Sequence, residues 1–174
     1  MAFYVGAQNT TTTLSSSSVG KVLQVVNTKI TGAATYNGTS YGDISGFNAS
    51  ITPSSTSSKV LVMFNINAGS NNNGNRIVFR VTRTGNDNDY VGDSNSNRVS
   101  ATAQMAVSNP QDQRANHISY ISTPSSTSSV TYQLQAKLQV GGGSNVSFGR
   151  SGTNSDSSIE GRTPQSVILM EIAG

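Results

Sequence analysis

Between Phe47 and Asn67 the chain reads FNASITPSSTSSKVLVMFNIN. Phe47, Ala49 and Ile51 alternate with polar residues, a Pro/Ser/Thr connector follows, and Val60, Val62, Phe64 and Ile66 then fall at every second position. A period of two marks strands that bury one face, so the stretch predicts strand, polar turn, strand, as in a hairpin. The connector Thr-Pro-Ser-Ser-Thr-Ser-Ser at Thr52 to Ser58 recurs at Thr123 to Ser129, again between two strand-like runs. Its recurrence predicts two similar corners of one sandwich, where the chain passes between strands.

The same pattern continues along the chain. Lys21 to Asn27 (KVLQVVN) is apolar at both parities, which suits a strand buried on both faces or lying at a subunit interface. Thr31 to Gly46 is broken by Gly32, Gly38, Gly42 and Gly46 and predicts loop with one short strand. Arg76 to Arg83, Arg98 to Val107, His117 to Ser122, Val130 to Val140 and Gln165 to Ala173 predict further strands, and Asn145 to Arg150 follows a Gly-Gly-Gly-Ser hairpin turn. No stretch keeps a helical period. Eight to ten strands separated by Gly/Asn/Ser loops predict an all-β protein, an antiparallel β-sandwich. The dense apolar run before Gly174 predicts a central last strand, because an exposed apolar edge invites aggregation.

Composition narrows the setting. The 174 residues fit one domain, with an N-terminal arm over 1–19 and a sandwich over 20–174. With no cysteine, disulfides and thiolate metal sites are excluded. The longest apolar runs are too short to cross a bilayer as helices, and Met1 to Ser18 lacks the basic start and apolar core of a secretory signal. The net charge of +3 comes from few acids rather than from a basic stripe, so neither nucleic-acid binding nor membrane insertion is expected.

Three stretches in order, GKVLQVV, SGFNASITPSSTSSKVLVMFNIN and the closing SVILMEIAG, carry a resemblance. With the second Ser/Thr connector, they resemble a domain of bacteriophage virion and tail-fibre proteins, marine and cyanobacterial phages above all, over Gly20 to Gly174. The resemblance implies a jelly roll similar to the tumour-necrosis-factor heads, which assemble as trimers. It also implies a place on the virion surface after assembly in the host cytoplasm. Without a long shaft ahead of the domain, a capsid decoration protein or head spike is the leading expectation. A tail-fibre or receptor-binding head contacting host polysaccharide is the alternative.

Candidate chemistry is sparse. Eight acids lie mostly in loop-like stretches, and Glu171, the exception, reads as an interface carboxylate paired with an arginine rather than as a catalytic acid. His117 is the sole histidine and reads as solvated or hydrogen-bonded at a strand start. Gly38-Thr39-Ser40-Tyr41-Gly42 matches a nucleophile elbow in letters, but no helix follows it. Asp87 to Asp93 starts like a calcium loop yet places Val91 and Arg98 where oxygen ligands belong, which leaves an Asx-rich turn. No enzyme activity, metal or cofactor is implied. The expected contacts are therefore with proteins and glycans. Phe3, Tyr4 and Val5 would anchor the arm on a capsid or tail protein. Val22, Leu23, Val25, Val26, Tyr132, Leu134, Ile168 and Met170 would form the homotrimer interface. Tyr41, Tyr90, Asn73 and Asn88 would present glycan- or receptor-binding loops, where tyrosine gives contact area at low entropic cost.

Overall fold

The computed structural model describes residues 20–139 and 143–174, and the anchor candidates Phe3, Tyr4 and Val5 lie outside them. The described residues form ten strands and no helix: β1 (Val22–Ile30), β2 (Ala34–Tyr36), β3 (Gly42–Ile51), β4 (Lys59–Ser70), β5 (Asn75–Arg83), β6 (Ala103–Val107), β7 (Arg114–Ser122), β8 (Val130–Leu138), β9 (Val146–Phe148) and β10 (Gln165–Ile172). All pairings are antiparallel. One sheet, A, runs β1-β10-β4-β7, with β9 and β2 added where β4 extends past β10; the other, B, runs β3-β8-β5-β6. This is jelly-roll order, β1-β10-β4-β7 packed on β3-β8-β5-β6 through interleaved Greek keys, with β9 and β2 as additions to sheet A.

Alternation decides which side chains meet between the sheets. Val60, Val62, Phe64 and Ile66 of β4 and Val167 and Leu169 of β10 face Phe47 and Ile51 of β3, Ile77, Phe79 and Val81 of β5, and Tyr132, Leu134 and Leu138 of β8 in one buried core. At its centre Phe148 packs a tilted ring on Phe47, centroids 5.0 Å apart, and an edge on Phe79 at 6.3 Å. Burial of side chains of this size, worth about 1.5–3 kcal/mol each, holds the two layers together.

The stretch from Phe47 to Asn67 is not a hairpin. Its strands belong to different sheets, so Thr52 to Ser58 carries the chain from B to A. The twin connector carries it back from β7 in sheet A to β8 in sheet B. The expectation of two equivalent corners therefore holds, and each is a crossing between layers. The last strand is central, between β1 and β4. The alternation expected over Arg98 to Val107 becomes strand only from Ala103, since Thr102 caps the end of the β5–β6 pairing: its N–H donates to Phe79 O (2.8 Å) while its hydroxyl accepts from Val81 N (3.0 Å).

The sandwich is tied off by a backbone contact. A Cβ placed on Gly152 would fall on the carbonyl of Ser70 at the end of β4, and one on Gly69 would lie 2.6 Å from the carbonyl oxygen of Asp112. Both neighbours are main chain and cannot rotate away. Gly152→Ala is expected to lose about 1–3 kcal/mol of stability in chemical denaturation, the usual cost of overpacking. Gly161→Ala, where a Cβ meets open space, is expected to lose much less.

Candidate functional site

Strands of a sandwich usually pair an apolar inner face with a polar outer one, and sheet B obeys this. Its outer face carries Asn48, Ser50, Thr131, Gln133, Gln135 and Arg80 in a hydrogen-bonded ladder: Asn48 Nδ2 donates to Gln133 Oε1 (3.0 Å), Ser50 and Thr131 share a bond (2.7 Å), and Gln135 Nε2 donates to Asp43 Oδ1 (2.7 Å). Arg80 Nε donates to Gln135 Oε1 (3.0 Å) and its guanidinium lies 4.4 Å over the ring of Tyr41. The Tyr41 hydroxyl donates in turn to Ser100 O (2.9 Å). Burial raises the Tyr41 phenol pKa and the Arg80 charge opposes it. Tyr41 thus fastens the 84–102 loop to sheet B.

Sheet A breaks the rule. Pairing registers Val25 of β1 with Met170 of β10, Met170 with Leu61 of β4, and Leu61 with Ile121 of β7, which sets four apolar side chains in one row across the outer face. Ile168 and Met63 extend the patch in the next row, beside Asn27 and Ser119. The row after that is polar: Asn65 Nδ2 donates to Ser166 Oγ (2.8 Å), and His117 Nδ1 shares a 2.8 Å bond with Asn65 Oδ1. Towards the edge Val22, Leu23 and Val25 are 53%, 45% and 56% exposed, and Ile121 is 49% exposed. The apolar row spans four strands and gives way to the polar Lys29–Ser166–Asn65–His117 row on one side.

The expected interface residues divide accordingly. Val22, Leu23, Val25, Met170 and Ile168 border or join this face; Val26 turns inward against the core. Tyr132 and Leu134 require correction, because both are wholly buried between the sheets and no neighbouring chain can reach them. Leu61, Met63 and Ile121 are the members that the alternation argument passed over.

Glu171 also requires correction. It points into the end of the sandwich, 1% exposed, and no arginine among the described residues pairs with it. Ser54 donates to Glu171 Oε1 from its backbone N–H (2.7 Å) and its hydroxyl (2.6 Å), Ser58 Oγ donates to the same oxygen (2.7 Å), and Gln24 Nε2 donates to Oε2 (2.6 Å). The carboxylate of the last strand therefore clamps the first Ser-rich corner and ties β1 to it. Burial works to raise its pKa, but the bonds from Ser54, Gln24 and Ser58 outweigh burial and lower it to about 2.

At the second corner Asp89 plays the matching part. It accepts from Arg83 Nε (2.7 Å) and from Ser122 Oγ (2.6 Å), the residue just before the twin connector. Burial and then the Asp89 charge push the Tyr120 phenol well above its usual range, and burial takes that of Tyr132 to about 12. Tyr90 stacks on Tyr120 with centroids 4.4 Å apart and rings 3° from parallel. The Asx turn expected in this loop is present, with Asn88 N donating to Asn86 Oδ1 (2.9 Å). Tyr90 and Asn88 lie beyond one end of β5 and Asn73 before the other, a separation of about 25 Å at ~3.3 Å per residue. The four expected glycan-contacting residues therefore do not form one patch.

No protein-family model matches this chain, and no curated protein matches it. Among solved structures it is similar to that of the infectious bursal disease virus Gt strain, with 10% identity and a TM-score of 0.43 over 90% of this chain and 39% of the other. It is similar to the VP2 subviral particle of the same virus, with 9% identity and a TM-score of 0.41 over 90% and 38%. A third is TmCBM61 in complex with β-1,4-galactotriose, with 9% identity and a TM-score of 0.30 over 87% and 88%. The chain spans about two fifths of the length of the viral chains. At these identities and scores the likeness says nothing about function.

Proposed function

We propose that this chain is a non-enzymatic structural protein of a bacteriophage particle, a jelly-roll subunit that assembles as a homotrimer on the particle surface. The observation that carries the reading is the apolar row Val25, Met170, Leu61 and Ile121 on the outer face of sheet A. Such a row left in water is a standing driving force for association, and a second copy of the same sequence supplies a matching face at equal concentration. The resemblance of the GKVLQVV, TPSSTSSKVLVMF and SVILMEI stretches to phage virion domains supports the trimer and the setting. Within the particle, the 1–19 arm would hold the trimer to a capsid or tail protein through Phe3, Tyr4 and Val5.

The acids favour a structural role over catalysis. Glu171 and Asp89 are each committed to a corner, and Glu160 is ringed by the hydroxyls of Ser151, Thr153 and Ser155. Those hydroxyl bonds, Ser151 first, lower its pKa. Sedimentation at micromolar concentration is expected to give three times the 18.1 kDa chain mass; a monomer would sink the reading. Electron micrographs of particles with and without the protein then separate a place on the head from one on the tail.

A further inference from the structure

A second surface, on the other sheet, has a different chemistry. The outer face of sheet B and the 84–102 loop enclose an open groove of about 690 Å³, the size of pockets that take small ligands or a short polymer segment. Arg76 of β5 and Lys137 of β8 rise from its floor and Arg98 leans in from the loop, and no acid lines it. Among the described residues the ion pairs are Arg83–Asp89 and Arg114–Asp112, so these three cations have no carboxylate partner. The side-chain amides of Asn97, Gln104 and Gln139 lie between them, and Gln139 Oε1 accepts from Arg76 Nη1 at 3.4 Å.

The loop wall is fixed in place. Tyr41 holds Ser100 O, the Thr102 hydroxyl donates to Tyr90 O (2.6 Å), Gly92 N donates to Ala101 O (3.0 Å) and Arg98 N donates to Asn95 O (3.0 Å). A pre-set wall lowers the ordering cost of binding. Three unpaired cations on such a frame repel one another until an anion joins them, and amides among them match ligand hydroxyls.

We propose that this groove binds a segment of acidic polysaccharide, with its carboxylate or sulfate groups on Arg76, Arg98 and Lys137 and its hydroxyls on Asn97, Gln104 and Gln139. Single-stranded nucleic acid fits less well. Its bases need aromatic faces to stack on, no aromatic side chain among the described residues lines the groove, and the adjacent Tyr41 ring is covered by Arg80. The placement differs from the loop tips at Asn73 and Asn88 and would turn the sheet B face, rather than the loops, toward an anionic surface coat.

Calorimetric titration of the full chain with polygalacturonate and dextran sulfate oligosaccharides, neutral β-1,4-galactan and poly(dT) tests this. Binding of at least one acidic glycan is expected, weakening as salt rises, with none of the neutral one. Arg98→Ser, an exposed loop change without structural consequence, should weaken it about tenfold, and Arg76→Gln with Lys137→Gln added about a hundredfold or more, as loss of charge-assisted bonds predicts. Arg114→Ser, at the exposed Arg114–Asp112 ion pair away from the groove, should leave it unchanged. No binding of either acidic glycan, binding that survives the triple change, or poly(dT) bound as tightly as the glycans would each overturn the assignment. Sedimentation of the same samples reads assembly separately, so failure of the groove leaves the trimer reading standing.

Discussion

Glu171→Gln is expected to unfold at a lower urea midpoint than the parent, with about 2–4 kcal/mol lost at pH 7 and little change in denaturant slope. The carboxylate accepts from Ser54 twice, from Ser58 and from Gln24. A glutamine keeps one oxygen and turns an NH2 group towards donors that cannot accept it in their present orientation. A buried donor facing another donor costs more than the bond it replaces. The ordinary pKa of the group, 4.5, falls to about 2 in the folded chain, so folding favours the ionised form. The stability it contributes is fully present above about pH 4.5 and is lost as pH falls toward 2. The gap between parent and variant should therefore be widest near neutrality and narrow across that window. Glu160, whose pKa is also lowered, acts equally on both proteins and cancels in the difference. Urea titrations at pH 7, 4 and 2.5 decide the matter: a gap independent of pH would mean that the carboxylate charge is not what holds the corner. Ser58→Ala should lose part of the same energy, and adding it to Glu171→Gln should cost less than the two losses summed, since both act on one bond.

Much of this was legible in the chain and some was not, for physical reasons. Most of the strands follow from alternation, which is local, whereas β2 and the first residues of β3 fall in the Gly-punctuated stretch Thr31 to Gly46 that reads as loop with one short strand. The corners were legible as corners because the same heptapeptide appears twice, but which layer each end of a corner joins depends on pairings such as Val25 with Met170, which no local pattern encodes. Glu171 sits among apolar neighbours, while its partners come from Gln24 and from the connector after β3, far along the chain, so the sequence alone points to a nearby arginine as its counterpart. Tyr132 and Leu134 could have been placed from the sequence. Thr131, Gln133, Gln135 and Lys137 make the opposite face of β8 polar, and an apolar face with a polar reverse belongs in the core. Leu61 and Met63 carried the opposite sign. KVLVMF, KVLQVV and SVILMEI are apolar at both parities, and three such strands in one sheet leave an apolar outer face whatever their order. The basic groove was hidden because Arg76, Arg98 and Lys137 are far apart in the chain, and only the fold of the 84–102 loop over sheet B brings them together.

If the chain assembles as proposed, Leu61→Asp is expected to sediment as a monomer at micromolar concentration while leaving the fold intact. Leu61 stands in the middle of the apolar row, flanked by Met170 on one side and Ile121 on the other, and its side chain points away from the core that Val60 and Val62 help fill. Burying an aliphatic side chain of this size contributes about 1.5–3 kcal/mol, and the proposed trimer would bury three copies, so losing them would weaken assembly by roughly three to six powers of ten. An aspartate adds the cost of burying an unpaired charge. Circular dichroism should show the same strand content and a melting temperature set by the monomer, since no inter-sheet contact is removed. Lys29→Glu, on the polar row of the same sheet, serves as the control and should leave the assembly mass unchanged. If Leu61→Asp sediments as the parent does, the outer face of sheet A is not the contact. If it unfolds instead, Ile121→Asp answers the same question, because Ile121 is half exposed at the far end of the row and contributes nothing to the inner core.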